Sequence, residues 1–226
     1  MKIKELIIYT NKLDEQLDFY VDILELPLLK RTTHSGSLKI GASILTFRFK
    51  ENIDPCHFAF NIPPNREEDA LKWLKKRVQI LSFDGVEITD FKSWNAKAIY
   101  FYDKDLNIVE FISRKNLKTH NEDSFSSESI LNISEIGLAT TQIEMTYNEL
   151  NKMQKIEIFD GNFERFCALG NEEGMFILVN QKIKKWFPTD DEVFVSDFGI
   201  RGDYNFEFVN GRINELLEVA INLLPQ

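Results

Sequence analysis

Trp94-Asn95-Ala96-Lys97-Ala98-Ile99-Tyr100-Phe101-Tyr102-Asp103-Lys104-Asp105-Leu106-Asn107-Ile108-Val109-Glu110-Phe111-Ile112 reads as two β-strands joined by a short turn at Asp103–Asn107. Successive side chains of a strand point to opposite faces, so Glu110 shares a face with Ile108 and Ile112 while Val109 and Phe111 line the other. A lone carboxylate on an apolar face is costly to desolvate unless it is paired, hydrogen-bonded or bound to a metal. Glu110 is therefore a candidate site residue.

The same anomaly recurs on three other predicted strands. Cys56–Ile62 puts His57, Ala59 and Asn61 opposite Phe58, Phe60 and Ile62. Lys2–Tyr9 places Glu5 between Ile3 and Ile7, and Asn132–Ala139 places Glu135 beside Ile133, Gly137 and Ala139. Imidazole with carboxylates is a donor set for a divalent metal such as Zn, Ni, Co, Mn or Fe. The competing reading is a buried His–Glu hydrogen bond without a metal for His57 and Glu110, and a solvated strand edge for Glu5 or Glu135.

The composition narrows the class. In 226 residues, a hydrophobic fraction of 43% with 19 Phe supports packed cores, as one large domain or two small ones. The net charge of −9 lacks the basic excess that nucleic-acid binding needs. Cys56 and Cys167 are the only cysteines, too few for a disulfide framework or a CxxC metal site. The chain opens on a predicted strand rather than a signal peptide, and no apolar run reaches the roughly 18 residues of a membrane span. The expectation is a soluble, cytoplasmic protein with no membrane partner.

Polar Lys115–Ser129 reads as an exposed linker between two halves. Before it the order strand, helix, strands occurs twice. The first helix spans about Leu13–Leu24; the second spans Arg66–Val78 with Asn65 as its cap. After it, Glu135–Ile143 repeats the pattern of Glu5–Leu13. Thr146–Met153 suggests a capped helix, and Phe163–Leu169 with Met175–Val179 a hairpin. Glu192–Phe198 and Asn205–Val209 suggest an abbreviated fourth unit without its helix, followed by a closing helix over Arg212–Leu224. His34 reads as a loop residue and His120 as part of the linker.

Leu6-Ile-Ile-Tyr-Thr-Asn-Lys-Leu-Asp-Glu-Gln-Leu-Asp-Phe-Tyr20, followed by Leu24-Glu-Leu-Pro-Leu28, resembles the opening of vicinal oxygen chelate proteins, with Leu-Glu-Leu where their Leu-Gly-Leu stop is usual. His57-Phe-Ala-Phe and Tyr100-Phe-Tyr-Asp-Lys-Asp-Leu-Asn-Ile-Val-Glu110-Phe resemble the second half of the same domain. The resemblance is strong over residues 1–114 and weak over 130–226. It implies an α+β fold of repeated βαβββ modules forming curved mixed sheets. The implied units are a glyoxalase-like domain at 1–114, a linker at 115–129 and a degenerate second domain at 130–226.

The family's ligands sit on the first and last strands of modules, which singles out His57 and Glu110. The third ligand is Glu5 if modules pair within the first half, or Glu135 if they exchange between halves. Glu135 is favoured because Gly137 and Ala139 leave space beside it. Thr46 and Ile177 occupy the other last-strand positions, so one metal site per chain is expected.

The implied function is a glyoxalase-like lyase or isomerase acting on a small oxygenated molecule. A divalent metal would stabilise an enediolate or oxyanion, with Glu110 as a candidate base and Trp94 and Tyr100 in the substrate pocket. The alternative is a metal-free, bleomycin-resistance-like binding protein with the same aromatic residues as groove walls. An extradiol dioxygenase, normally built on two His and one carboxylate, fits less well, since only one of three His lies on a suitable strand. A monomer or homodimer is expected.

Overall fold

The computed structural model describes residues 1–119 and 124–216. The first module comprises β1 (Ile3–Thr10), α1 (Leu13–Asp18) continued by a π-helical turn over Phe19–Ile23, β2 (Leu28–Arg31), β3 (Ser35–Ile40) and β4 (Ser43–Phe49). The second comprises β5 (His57–Ile62), α2 (Glu67–Leu74), β6 (Ile80–Leu81), β7 (Thr89–Phe91), β8 (Ala96–Tyr102) and β9 (Ile108–Arg114). The third runs through β10 (Asn132–Thr140), α3 (Ile143–Met153), β11 (Ile158–Gly161), β12 (Phe166–Asn171) and β13 (Gly174–Asn180). The fourth is β14 (Phe198–Gly202), β15 (Phe206–Val209) and β16 (Arg212–Glu215), without a helix among the described residues.

The modules pair by exchange. One sheet runs β16-β15-β14-β1-β4-β3-β2 and the other β11-β12-β13-β10-β5-β9-β8-β6, with β7 added beside β8. Each sheet thus takes one module from either side of residues 115–129, and the division by sequence does not coincide with the strand pairing. Ser43 bridges the sheets: its hydroxyl donates to the Ile3 carbonyl at 2.6 Å and accepts from the Ile133 amide at 3.1 Å.

Alternation sorts the side chains as the sequence requires. Phe58, Phe60, Ile62, Val109 and Phe111 enter a core that also takes Leu6, Ile8, Leu45 and Phe47 from the other sheet. Ala59, Ile108, Ile112, Ala139 and Ile177 lie in a separate apolar cluster on the opposite face, where the candidate ligands stand.

Several local expectations are corrected. Helix α2 is shorter than Arg66–Val78; Asn65, at φ +60°, is not its cap but sits in the preceding turn, its amide donating to Ser113 Oγ. Helix α3 begins at Ile143, so Thr146 lies inside it and returns its hydroxyl to the Gln142 carbonyl. Regular strand begins only at Phe198 within Glu192–Phe198.

Arg212–Glu215 is an edge strand, not the start of a helix. Asn210 and Gly211 both have positive φ (51° and 76°) and form the two-residue hairpin loop between paired Val209 and Arg212. The remainder of the expected closing helix, from residue 217, lies outside the described residues, as does His120. The expected linker is not wholly exposed. Phe125 is buried against Trp73 and Phe111, and Ser127–Ser129 forms a 3-10 turn.

Candidate metal centre

The turn at Asp103–Asn107 sets the position of two site strands. Asp103 accepts hydrogen bonds from the Asp105 and Asn107 amides, both at 3.0 Å, and from the Asn107 side chain at 2.8 Å. Gln16 Nε2 and Tyr20 Oη of the first module also donate to it, at 2.6 and 3.0 Å. Burial nevertheless pushes the Asp103 carboxyl up to about 6, against the hydrogen bonds from Asn107 and Tyr20. Asn107 Oδ1 accepts from the Cys56 amide at 2.8 Å. This locks the start of β5, and with it His57, beside the start of β9.

Register then gathers the acids. Ala59 is the partner of Glu110 in parallel β9 and of Glu135 in antiparallel β10. The two glutamates therefore flank a methyl group, which leaves room above it for both carboxylates and for His57. His57 Nε2 stands 3.4 Å from Glu110 Oε2 and 3.8 Å from Glu135 Oε2, and all three residues are buried. His57 Nδ1 lies 3.0 Å from the Ile108 carbonyl. A carbonyl can only accept, so Nδ1 carries the proton and Nε2 is the nitrogen offered to the carboxylates.

Charge compensation is built in. Arg114 is fully buried and pairs with Glu135 Oε1, leaving Oε2 toward His57. Its Nε and Nη1 have no hydrogen-bond partner, and its guanidinium lies 5.5 Å from the centre of the Trp94 ring. Burial works against a charged His57, but hydrogen bonding and attraction to Glu110 and Glu135 raise its pKa to about 9. Burial, together with the neighbouring Glu135 charge, raises that of Glu110.

The donor set suits a divalent ion. Ligands about 2.0–2.2 Å from a common centre stand roughly 3–3.6 Å apart in octahedral or tetrahedral arrangements, close to the separations around His57. One nitrogen and two carboxylate oxygens would also leave coordination positions open.

Glu5 is not part of this group. It stands on β1 in the other sheet, where its Oε1 accepts from Thr46 Oγ1 at 2.6 Å. The reason is the exchanged pairing, which brings β10 rather than β1 beside β5. The space expected beside Gly137 is also filled. A Cβ there would meet Trp186 Cη2 at 2.6 Å, and the indole packs 5.2 Å from the His57 ring.

The three candidate ligands open into a cavity of about 370 Å³ that both Trp94 and Tyr100 line. Phe91, Phe166, Trp186 and Phe187 complete its aromatic wall, with Arg165 and Lys184 among the polar lining. Three larger clefts, of about 580, 530 and 390 Å³, contain none of the candidate ligands. Sequence reasoning missed Arg114 although it follows Glu110 and Ile112 at strand spacing on the same face. Trp186 lies outside regular strands and helices, and no periodic signal marks it.

No family model and no curated protein matches the sequence. Solved structures do. A Bacillus subtilis protein described as a candidate dioxygenase superposes with a TM-score of 0.60 at 18% identity, over 82% of this chain and 65% of that one. Glyoxalase I from Zea mays gives 0.57 at 14% identity, over 81% of this chain and 69% of that one. This chain thus spans slightly less than two thirds of the length of the first. At such identities the likeness establishes architecture alone. The chain has the fold of these two structures, built here from three helix-bearing modules and a fourth without a helix among the described residues.

Proposed function

We propose that this protein is a metal-dependent enzyme of the vicinal oxygen chelate type, with His57, Glu110 and Glu135 holding a divalent ion. The observation that carries this reading is the convergence of three buried donor atoms, all within 4.8 Å of one another, at a cavity. Buried carboxylates facing one another are expensive unless a cation joins them. A divalent ion at this position would act as a Lewis acid toward oxygen atoms of a bound substrate.

The chain's own residues supply the rest. His57 is fixed by its Nδ1 bond to Ile108, and Glu135 is oriented by Arg114. Glu110, whose carboxyl is pushed up by burial, is the group suited to take and return a substrate proton. Trp94, Tyr100 and Trp186 surround it with aromatic surface. These roles fit lyase or isomerase chemistry on a small oxygenated molecule.

The second reading is a metal-free binding protein of the bleomycin-resistance kind. It is favoured by Arg114 and a protonated His57, which together balance Glu110 and Glu135 without an ion. Elemental analysis of purified protein, before and after chelation, followed by titration with Zn, Ni, Co, Mn and Fe, separates the two. About one equivalent of metal, with a rise in melting temperature on reloading, supports the enzyme. No metal and no thermal shift with any of the five ions would leave the binding protein.

A further inference from the structure

The cavity has a mouth of distinct chemistry. Lys184 is half-buried, with its Nζ 5.5 Å from the centre of the Phe166 ring. Its ammonium makes a 3.5 Å contact with the Lys185 carbonyl, and neither it nor Arg165 forms an ion pair among the described residues. Burial and the nearby Arg165 charge lower the Lys184 pKa. Asp160 also lines the cavity; its carboxylate accepts from Trp94 Nε1 at 2.5 Å and from the Gly161 amide at 2.7 Å, and it forms no ion pair with either cation. Deeper in, Glu110 and Glu135 face His57 and Arg114.

Two cations without an ion-pair partner among the described residues thus line one cavity in a chain of net charge −9. Arg165 is exposed and Lys184 half-buried, and an anion arriving between two like charges relieves their repulsion. Beside them Trp94 and Phe166 are stacked, with centroids 6.2 Å apart at 27°, and Phe187 adds a further ring to the cavity.

We propose that Arg165 and Lys184 form an anion-recognition site, so that the molecule bound in this cavity carries a carboxylate or phosphate on a planar apolar body. The anionic group sits at the rim between the two cations, and the body lies against Trp94, Phe166 and Phe187. The inference rests on the proposed function only in taking this cavity as the substrate's. It does not require the metal.

Three probes of one shape test it by calorimetric titration at fixed ionic strength: 2-naphthoate, 2-naphthyl phosphate and the neutral 2-naphthamide. Each is titrated into chelator-treated protein and into protein supplied with zinc. A charged hydrogen bond at a partly exposed site is worth about a tenfold preference. At least one anion should therefore bind about tenfold tighter than the amide under both conditions, and comparison of the two anions identifies the preferred group. The double variant Arg165→Gln/Lys184→Gln should level all three.

Binding of both anions no tighter than the amide to the unaltered protein, or a preference that survives in the double variant, overturns the proposal. So does a preference seen only with zinc and lost in His57→Ala, which would place the anion on the metal. A preference that persists while no metal binds supports the rim and removes the enzyme reading instead.

Discussion

Arg114 and Glu135, from adjoining modules, form a fully buried ion pair directly behind the candidate metal centre. Removing one member of such a pair leaves an uncompensated charge and typically costs about 3–5 kcal/mol. Arg114→Met should therefore lower the stability of chelator-treated protein by about that amount in urea unfolding. Added zinc should restore part of the loss, because an ion on Glu135 replaces the missing positive charge. No recovery with zinc would argue that Glu135 is not a ligand.

Glu135→Gln and Glu5→Gln separate the two glutamates at first-strand positions. Loss of a charged ligand should weaken zinc binding by more than the roughly 10–100-fold typical of an outer-shell change. Glu135→Gln should show that loss and Glu5→Gln should not, since Glu5 belongs to the other sheet. His57→Ala should match Glu135→Gln. Similar, small effects for all three would defeat the metal assignment.

Gly137→Ala probes the contact between Trp186 and His57. The new methyl would fall 2.6 Å from Trp186 Cη2 and 3.2 Å from the His57 carbonyl. Overpacking of this kind costs about 1–3 kcal/mol. The indole should move, shifting the tryptophan emission and weakening metal binding together. An unchanged spectrum with unchanged metal affinity would show that the indole does not brace the site.

The Asp103 carboxyl gives a pH signature. Its pKa is raised from 3.8 to about 6 in the folded chain, so the fold favours its protonated form. That contribution is fully present below about pH 4 and is lost as the pH rises through about 6. The stability advantage of the unaltered protein over Asp103→Asn should thus shrink by about 2 kcal/mol between pH 4 and pH 7. A difference independent of pH would show that hydrogen bonds from Gln16, Tyr20 and Asn107 offset burial, and one that grows with pH that they outweigh it.

Much of the architecture was legible in the chain because it is local. Period-two alternation placed His57, Glu110 and Glu135 on interior strand faces, and the return of the Glu5–Leu13 pattern at Glu135–Ile143 exposed the repeat. The same rule reaches Arg114, four residues beyond Glu110. Asn210-Gly211 carried a hairpin signal that an apparent helical pattern over Arg212–Leu224 obscured.

Tertiary structure decided the rest. Glu5 and Glu135 occupy equivalent positions in their modules, and the local ground for preferring Glu135, space beside Gly137, is taken up by Trp186. The choice depends on which strand adds to the edge of β5, and burial of complete sheet faces settles it in favour of β10. Register across three strands then brings two carboxylates around Ala59. Arg165, Lys184 and Trp186 join the cavity of His57 and Glu110 from far along the chain, because only the closed sheet and its connecting segments bring them there.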